Sequence, residues 1–256
     1  MILLKLLFIV LCIVFVKADY KFGRSAVSHS YPFIVSLQQR TNDTIFKYCS
    51  GVIVSESWVL TTAQCVEGRN QDNIYVVAGV LKAYNFNHRN SQTRNVSKIV
   101  QNPKYNFKKG EIPKYDLAML KMNKPFVFRS NVQDVTLGKT RQITGQGEIV
   151  GWGSTQGPDD QHQSNDLLFT SLTVTSYNDC LDYYKDVKDK FCVGNSEQTA
   201  CFGDGGTPFV QYSEEGHAIV VGLASASAMP CGSKPALYTN VAYFRRFISN
   251  TILEDE

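Results

Sequence analysis

No C-x-x-C pair occurs in this chain, and its four histidines, His29, His88, His162 and His217, stand far apart. Cys/His metal centres need clustered ligands, so no metal site and no cofactor are expected. Charge of one sign is lacking too: 26 basic against 23 acidic residues leave +3, too little for a global nucleic-acid footprint. Internal repeats and low-complexity stretches are absent, which removes solenoids and tails. Only one long apolar run exists, Leu6 to Val16, so membrane insertion of the remaining chain is not expected.

What is present is 43% apolar, 19% charged and 12% aromatic over 256 residues, the make-up of one large β-rich domain or two small ones. Residues 1–18 read as a secretory signal, with Lys5 before the apolar run and small residues around Val16-Lys17-Ala18. The alternative, an anchoring helix, needs about 20 apolar residues. Taking Lys5 and Lys17 away leaves 24 minus 23, or +1, for residues 19–256. Beyond Cys12 there are six cysteines, Cys49, Cys65, Cys180, Cys192, Cys201 and Cys231, an even number suited to three disulfides in an oxidising compartment. Asn42-Asp43-Thr44 and Asn95-Val96-Ser97 are glycosylation sequons, consistent with an extracellular chain. Short β-branched and aromatic runs recur at Phe33 to Leu37, Val52 to Val54, Ile74 to Val80, Ile143 to Val150, Leu167 to Val174 and Ala218 to Leu223. That rhythm is all-β. A helix is expected over about 243–253, where Tyr243, Phe244, Phe247, Ile248, Thr251 and Ile252 share a face. The polar stretch Phe128 to Gln146 suggests a seam between two halves.

Three blocks, Trp58-Val59-Leu60-Thr61-Thr62-Ala63-Gln64-Cys65, Tyr115-Asp116-Leu117-Ala118-Met119-Leu120 and Cys201-Phe202-Gly203-Asp204-Gly205-Gly206-Thr207-Pro208, stand in this order. They resemble the histidine, aspartate and serine blocks of the chymotrypsin/trypsin family. Tyr31 to Gln38, Cys49-Ser50-Gly51, Gly151-Trp152-Gly153 and Pro235 to Val241 extend the likeness over nearly all of residues 25 to 250. The resemblance implies two packed six-stranded antiparallel β-barrels, about 30–130 and 140–242, with a C-terminal helix and the cleft between them. It also implies the bridges Cys49 to Cys65, Cys180 to Cys192 and Cys201 to Cys231.

The likeness fails at the chemistry. Gln64 stands where the family has its general base and Gly205 where it has its nucleophile; of the triad only Asp116 remains. A carboxamide does not titrate near neutrality, and glycine has nothing to attack with. Thr207 carries the nearest hydroxyl, at a position that in the family faces into the barrel. Gly203, with Gly205, keeps the backbone turn that forms the family's oxyanion hole, or serves only as a tight turn. By resemblance the specificity pocket has Thr199 at its base and Ser225-Ala226-Ser227 and Ala236 as walls. Ser227 and Ala236 replace glycines and are expected to narrow or shut it, through drift or through selection for a reshaped surface. Arg24-Ser25-Ala26-Val27 offers no basic residue followed by a branched aliphatic one, so zymogen activation is not expected, and a buried Asp204 would need a substitute partner.

Lys82, Arg89, Arg94, Lys98, Lys104, Lys108, Lys109 and Lys114 face a single Glu111 between positions 82 and 114, eight minus one, or +7. No carboxylate lies between Gly79 and Glu111, against the calcium site some family members carry there. The run is either a solvated face or an exosite for an acidic protein segment or sulfated glycan. The sequence therefore leads to a secreted, monomeric, catalytically inactive serine protease homologue that acts by binding an extracellular protein. It resembles inactivated arthropod paralogues that modulate complement, clotting or melanisation cascades. The alternatives are a hydrolase with residual or altered activity and a secreted protein without a selected partner.

Overall fold

Strands too short to bury a core singly roll up on one another in a computed structural model, which describes residues 23–41, 44–84, 90–154, 163–195 and 199–255. The proposed signal segment, Asn42 and Arg89 lie outside the described residues. A short β1 (Arg24–Ser25) precedes β2 (Ile34–Arg40), β3 (Ile45–Ser55), β4 (Trp58–Thr61), β5 (Ile74–Ala78), β6 (Gln92–Gln101) and β7 (Ala118–Met122). The last six close into a barrel in the order β2-β3-β4-β7-β6-β5. Closure leaves no open edge, and the inward residues Leu37, Ile53, Val59, Ile74, Val76 and Leu120 fill the interior.

The second half holds β8 (Thr136–Leu137), β9 (Gln146–Gly151), β10 (Leu168–Thr173), β11 (Lys190–Val193), β12 (Pro208–Tyr212), β13 (Ala218–Ala226) and β14 (Ala236–Asn240). They pair as β1-β10-β9-β12-β13-β14-β11, with β8 lying parallel to β13. The outer two of the six, β10 and β11, meet at an isolated bridge from Val174 to Val193, with Thr175 N–H donating to Cys192 O at 2.9 Å. Phe191, Phe209 and Tyr238 pack ring on ring inside, with centroids 5.7 to 6.0 Å apart. Phe33, Trp58, Leu117, Trp152, Leu223 and Phe244 belong to one buried cluster shared by the two halves. All six cysteines beyond Cys12 are bridged, Cys49 to Cys65, Cys180 to Cys192 and Cys201 to Cys231.

Two helices are described. α1 (Tyr177–Tyr183) was not expected from the sequence: it buries only Cys180, so apolar periodicity is faint, and its signal is the Ser176 cap accepting from Asp179 N–H at 3.2 Å. α2 (Arg245–Leu253) starts later than position 243, because Val241–Phe244 winds as a 3-10 turn capped by Asn240.

Candidate functional site

Gln64 sits in a 3-10 turn just past β4, and Asp116 lies immediately before β7, so the register of these paired strands brings the two together. Asp116 is fully buried. Its Oδ1 accepts the Gln64 backbone N–H at 2.9 Å, while Oδ2 accepts Gln64 Nε2 at 3.0 Å and Ser225 Oγ at 2.6 Å. Gln64 Nε2 also donates to Ser225 O, so both amide hydrogens are committed. Burial pushes the Asp116 carboxyl up, and the Lys190 ammonium, the Ser225 hydroxyl and the Gln64 N–H pull it back. Lys190 lies behind the site, itself buried, with Nζ donating to Thr239 Oγ1 at 3.2 Å and 3.7 Å from Asp189 Oδ2. Thr239 Oγ1 in turn donates to Asp116 O at 3.0 Å.

Gly205 occupies a turn tied from both sides. Cys201 N–H donates to Asp204 Oδ2 at 2.9 Å, Thr207 N–H to Asp204 O at 2.8 Å, and Ser50 N–H to Gly205 O at 2.8 Å. A Cβ at Gly205 would lie 3.0 Å from Cys49 Sγ and 3.2 Å from Cys65 Sγ, so the disulfide packs closely over the backbone there. Gly206, at φ +74°, has no room for a side chain against Ser50 O. Thr207, the nearest hydroxyl, is 1% exposed and points to Asp204 Oδ1 at 3.4 Å, away from the cleft.

Lys47 is the buried cation whose attraction acts on Asp204, although no direct ion pair joins the two. It is 2% exposed on β3, and its Nζ donates to Gly203 O at 2.6 Å. Burial pulls its ammonium down to about 8, against the attraction of Asp204. Burial likewise pushes Asp204 up, opposed by the Cys201 N–H, Lys47 and the Gly153 N–H. Two old carboxylates thus each have a buried lysine, Lys47 and Lys190, neither of which sequence reasoning singled out. The available signal was phase: Lys47 shares the inward parity of Cys49 and Gly51 on β3.

A cleft of about 570 Å³ runs over this turn, bordered by Gln64, Gly205, Ala226, Ser227 and Ala200, with Phe107, Phe202 and Met229 exposed around it. Ser227 Oγ donates to Ala200 O at 2.7 Å, pinning together two walls of the position where the resemblance puts a specificity pocket. Thr199 and Ala236 are both buried, and neither borders the cleft.

The basic run is dispersed by the fold. Lys82 pairs with Asp166 at 3.6 Å, Lys98 with Asp255 at 3.5 Å and Lys114 with Asp186 at 2.8 Å. Arg94 donates to Pro125 O at 3.0 Å and lies over Phe126. Lys108 and Lys109 are exposed beside Phe107 at the cleft. Asn95 is exposed on β6. Among the described residues no helix is long and apolar enough to cross a membrane, and no metal-ligating group of three gathers.

The comparisons with known proteins agree with this layout. The venom peptide isomerase heavy chain of Agelenopsis aperta is 26% identical over 246 residues, covering 90% of this chain and 99% of that protein. Human kallikrein-7 is 32% identical over 237 residues, covering 90% of this chain and 86% of its own. Among solved structures, mouse brain neuropsin, a serine protease, superposes with a TM-score of 0.77 at 25% identity, covering 90% of this chain and 98% of that one. The family model described as trypsin matches residues 21–248, and the chain therefore belongs to the trypsin family of serine proteases.

Proposed function

We propose that this trypsin-family chain is a secreted, catalytically inactive homologue that works by binding. The observation that carries this reading is the pair Gln64 and Gly205. The amide at the base position is hydrogen-bonded to Asp116 and Ser225, cannot take a proton near neutrality, and faces a residue without a side chain. Neither Thr207 nor Ser225 replaces the nucleophile, since both hydroxyls are buried and bonded to carboxylates. Three disulfides support secretion. A place beside an extracellular proteolytic cascade rests on the resemblance to inactivated paralogues. The competing reading is a hydrolase of altered chemistry, favoured by the enzyme names of its relatives. Purified protein is expected to turn over no peptide substrate with Arg, Lys, aromatic or small residues before the scissile bond, and to resist fluorophosphonate labelling. Stoichiometric labelling at any hydroxyl would restore the hydrolase.

For the partner surface, the salt bridges of Lys82, Lys98 and Lys114 leave Lys104, Lys108 and Lys109 as exposed lysines of the run without an ion pair among the described residues, the last two following Phe107 at the cleft. Exposed charges act over about 8 Å at physiological salt. A Lys108→Ser, Lys109→Ser variant is expected to leave a heparin column at lower salt than the parent, and Lys98→Ser at unchanged salt. Coincident elution of all three would leave a solvated face.

A further inference from the structure

The six strands of the second half meet poorly at one seam. Among the described residues β10 and β11 are joined by the Val174 bridge, Gly194 N–H donating to Thr173 O at 3.0 Å and Thr175 N–H donating to Cys192 O at 2.9 Å. At Ser176 the chain leaves β11 to form α1, and the seam opens into a cavity of about 610 Å³. Its walls include Ile143, Val174, Phe191 and the Cys180–Cys192 disulfide. Ile143 and Phe191 belong to the barrel's own core, so the hollow reaches apolar interior. Tyr177, 61% exposed, stands at its border. A space of this volume with apolar walls suits the body of a small ligand.

Arg141 supplies the polar end. It is exposed, borders the cavity, and holds its guanidinium over the Tyr243 ring, 4.7 Å from the centroid. Stacking on a ring fixes the group while its N–H fork, which lies in the guanidinium plane, stays open. Among the described residues that fork has no acceptor and no ion-pair partner. The other cation on the border, Lys190, is already engaged, with Nζ donating to Thr239 Oγ1 at 3.2 Å and 3.7 Å from Asp189 Oδ2. Neither Asp nor Glu lines the cavity, and Asp179 and Asp182 of α1 are exposed outside it. The two segments that meet at the Arg141–Tyr243 stack, 135–147 and 241–253, carry Lys139, Arg141, Arg245 and Arg246 and no acidic residue. The mouth therefore favours an anion.

We propose that this cavity binds a small apolar carboxylic acid, its carboxylate paired with Arg141 and its hydrocarbon body against Ile143, Val174 and Phe191. The site goes beyond the inactive, binding reading and does not depend on it, since none of its lining residues borders the cleft. A carboxylate matches the guanidinium fork with two parallel charge-assisted hydrogen bonds, whereas an alcohol brings neither the second oxygen nor the charge. Fatty acids and aromatic acids share this chemistry.

The test titrates the purified protein with decanoate, octanoate, 4-phenylbutyrate and decan-1-ol, by calorimetry and by methyl NMR. Decanoate is expected to bind at least about tenfold more tightly than decan-1-ol, as the charge-assisted pair requires. Octanoate, two methylenes shorter, is expected to bind about tenfold more weakly than decanoate if the chain enters the hollow. Arg141→Met, at an exposed position, is expected to keep the melting temperature and to erase the preference for acid over alcohol. Val174→Trp is expected to abolish binding of all four by filling the space; should it not fold, ligand-induced methyl shifts at Ile143 and Val174 of the parent serve instead. Tighter binding of 4-phenylbutyrate than of octanoate would support the site with an aromatic acid as its ligand. Equal affinity for decanoate and decan-1-ol, an unchanged preference in Arg141→Met, or no binding at about 1 mM would overturn it. Methyl shifts confined to Ala226 at the cleft would do the same.

Discussion

The double variant Gln64→His, Gly205→Ser is expected to remain at least about 10³-fold below trypsin in kcat/KM, although it supplies an imidazole and a hydroxyl at the two positions on which the proposed inactivity rests. Three features of the fold stand in the way. A serine Cβ meets Cys49 Sγ at 3.0 Å and Cys65 Sγ at 3.2 Å, so the disulfide or the turn must give by a few tenths of an ångström. A misplacement of 1 Å in such a site costs about 10²-fold. Ser227 Oγ bonded to Ala200 O closes the space a substrate side chain enters, and Thr199 and Ala236 remain buried out of reach. The measurement is hydrolysis of ester and amide substrates beside trypsin at equal active-site concentration. Activity within tenfold of trypsin would show that the closed pocket is not an obstacle. Adding Ser227→Gly to the pair is expected to raise the rate, since it removes the hydroxyl bonded to Ala200 O and frees that wall.

Lys47→Met is expected to destabilise the fold by about 1–3 kcal/mol at pH 7, because it leaves Gly203 O without its donor and removes the attraction acting on the buried Asp204 carboxylate. For a domain of this size that lowers the melting temperature by roughly 5 °C. The pH dependence has a definite sign. Burial raises the folded-state pKa of Asp204 above its ordinary value of 3.8, so the folded chain holds a proton that the unfolded chain has released. Stability from that neutral acid is present at low pH and falls as pH rises from 3.8 through the folded value. Without Lys47 the folded value rises further, so the defect should shrink in acid and grow toward neutrality. Lys47 itself is pulled from 10.5 down to about 8, so the parent gains stability as pH rises between those limits, where the folded chain has given up a proton that the unfolded chain still holds, and the variant lacks that gain. Asp204→Asn on top of Lys47→Met should recover most of the loss in denaturant melts. Strict additivity of the two changes would show that the groups do not interact.

Much of the second barrel's edge detail was not legible before folding. β1 has two residues and pairs with β10 far along the chain, and β8 pairs parallel to β13, neither of which periodicity reports. α1 escaped notice because a single buried Cys180 makes no stripe. The strands that were legible, such as Ile34–Arg40 and Ile74–Ala78, alternate or run apolar between turn residues because they line a barrel interior.

The residues alone set the two identities on which the proposed inactivity rests: an amide at Gln64 and a bare glycine at Gly205, which no packing alters. They also decided the even set of six cysteines, the near-neutral balance and the all-β rhythm. Distance and direction belonged to the fold. Lys47 and Lys190 read as ordinary polar residues until β3 and β11 turned them inward beside Asp204 and Asp116. A +7 run read as one patch until Asp166, Asp186 and Asp255, remote in sequence, were folded against it. Composition counts charges without their neighbours, while electrostatic energy depends on separation and burial, and those are set by strand register.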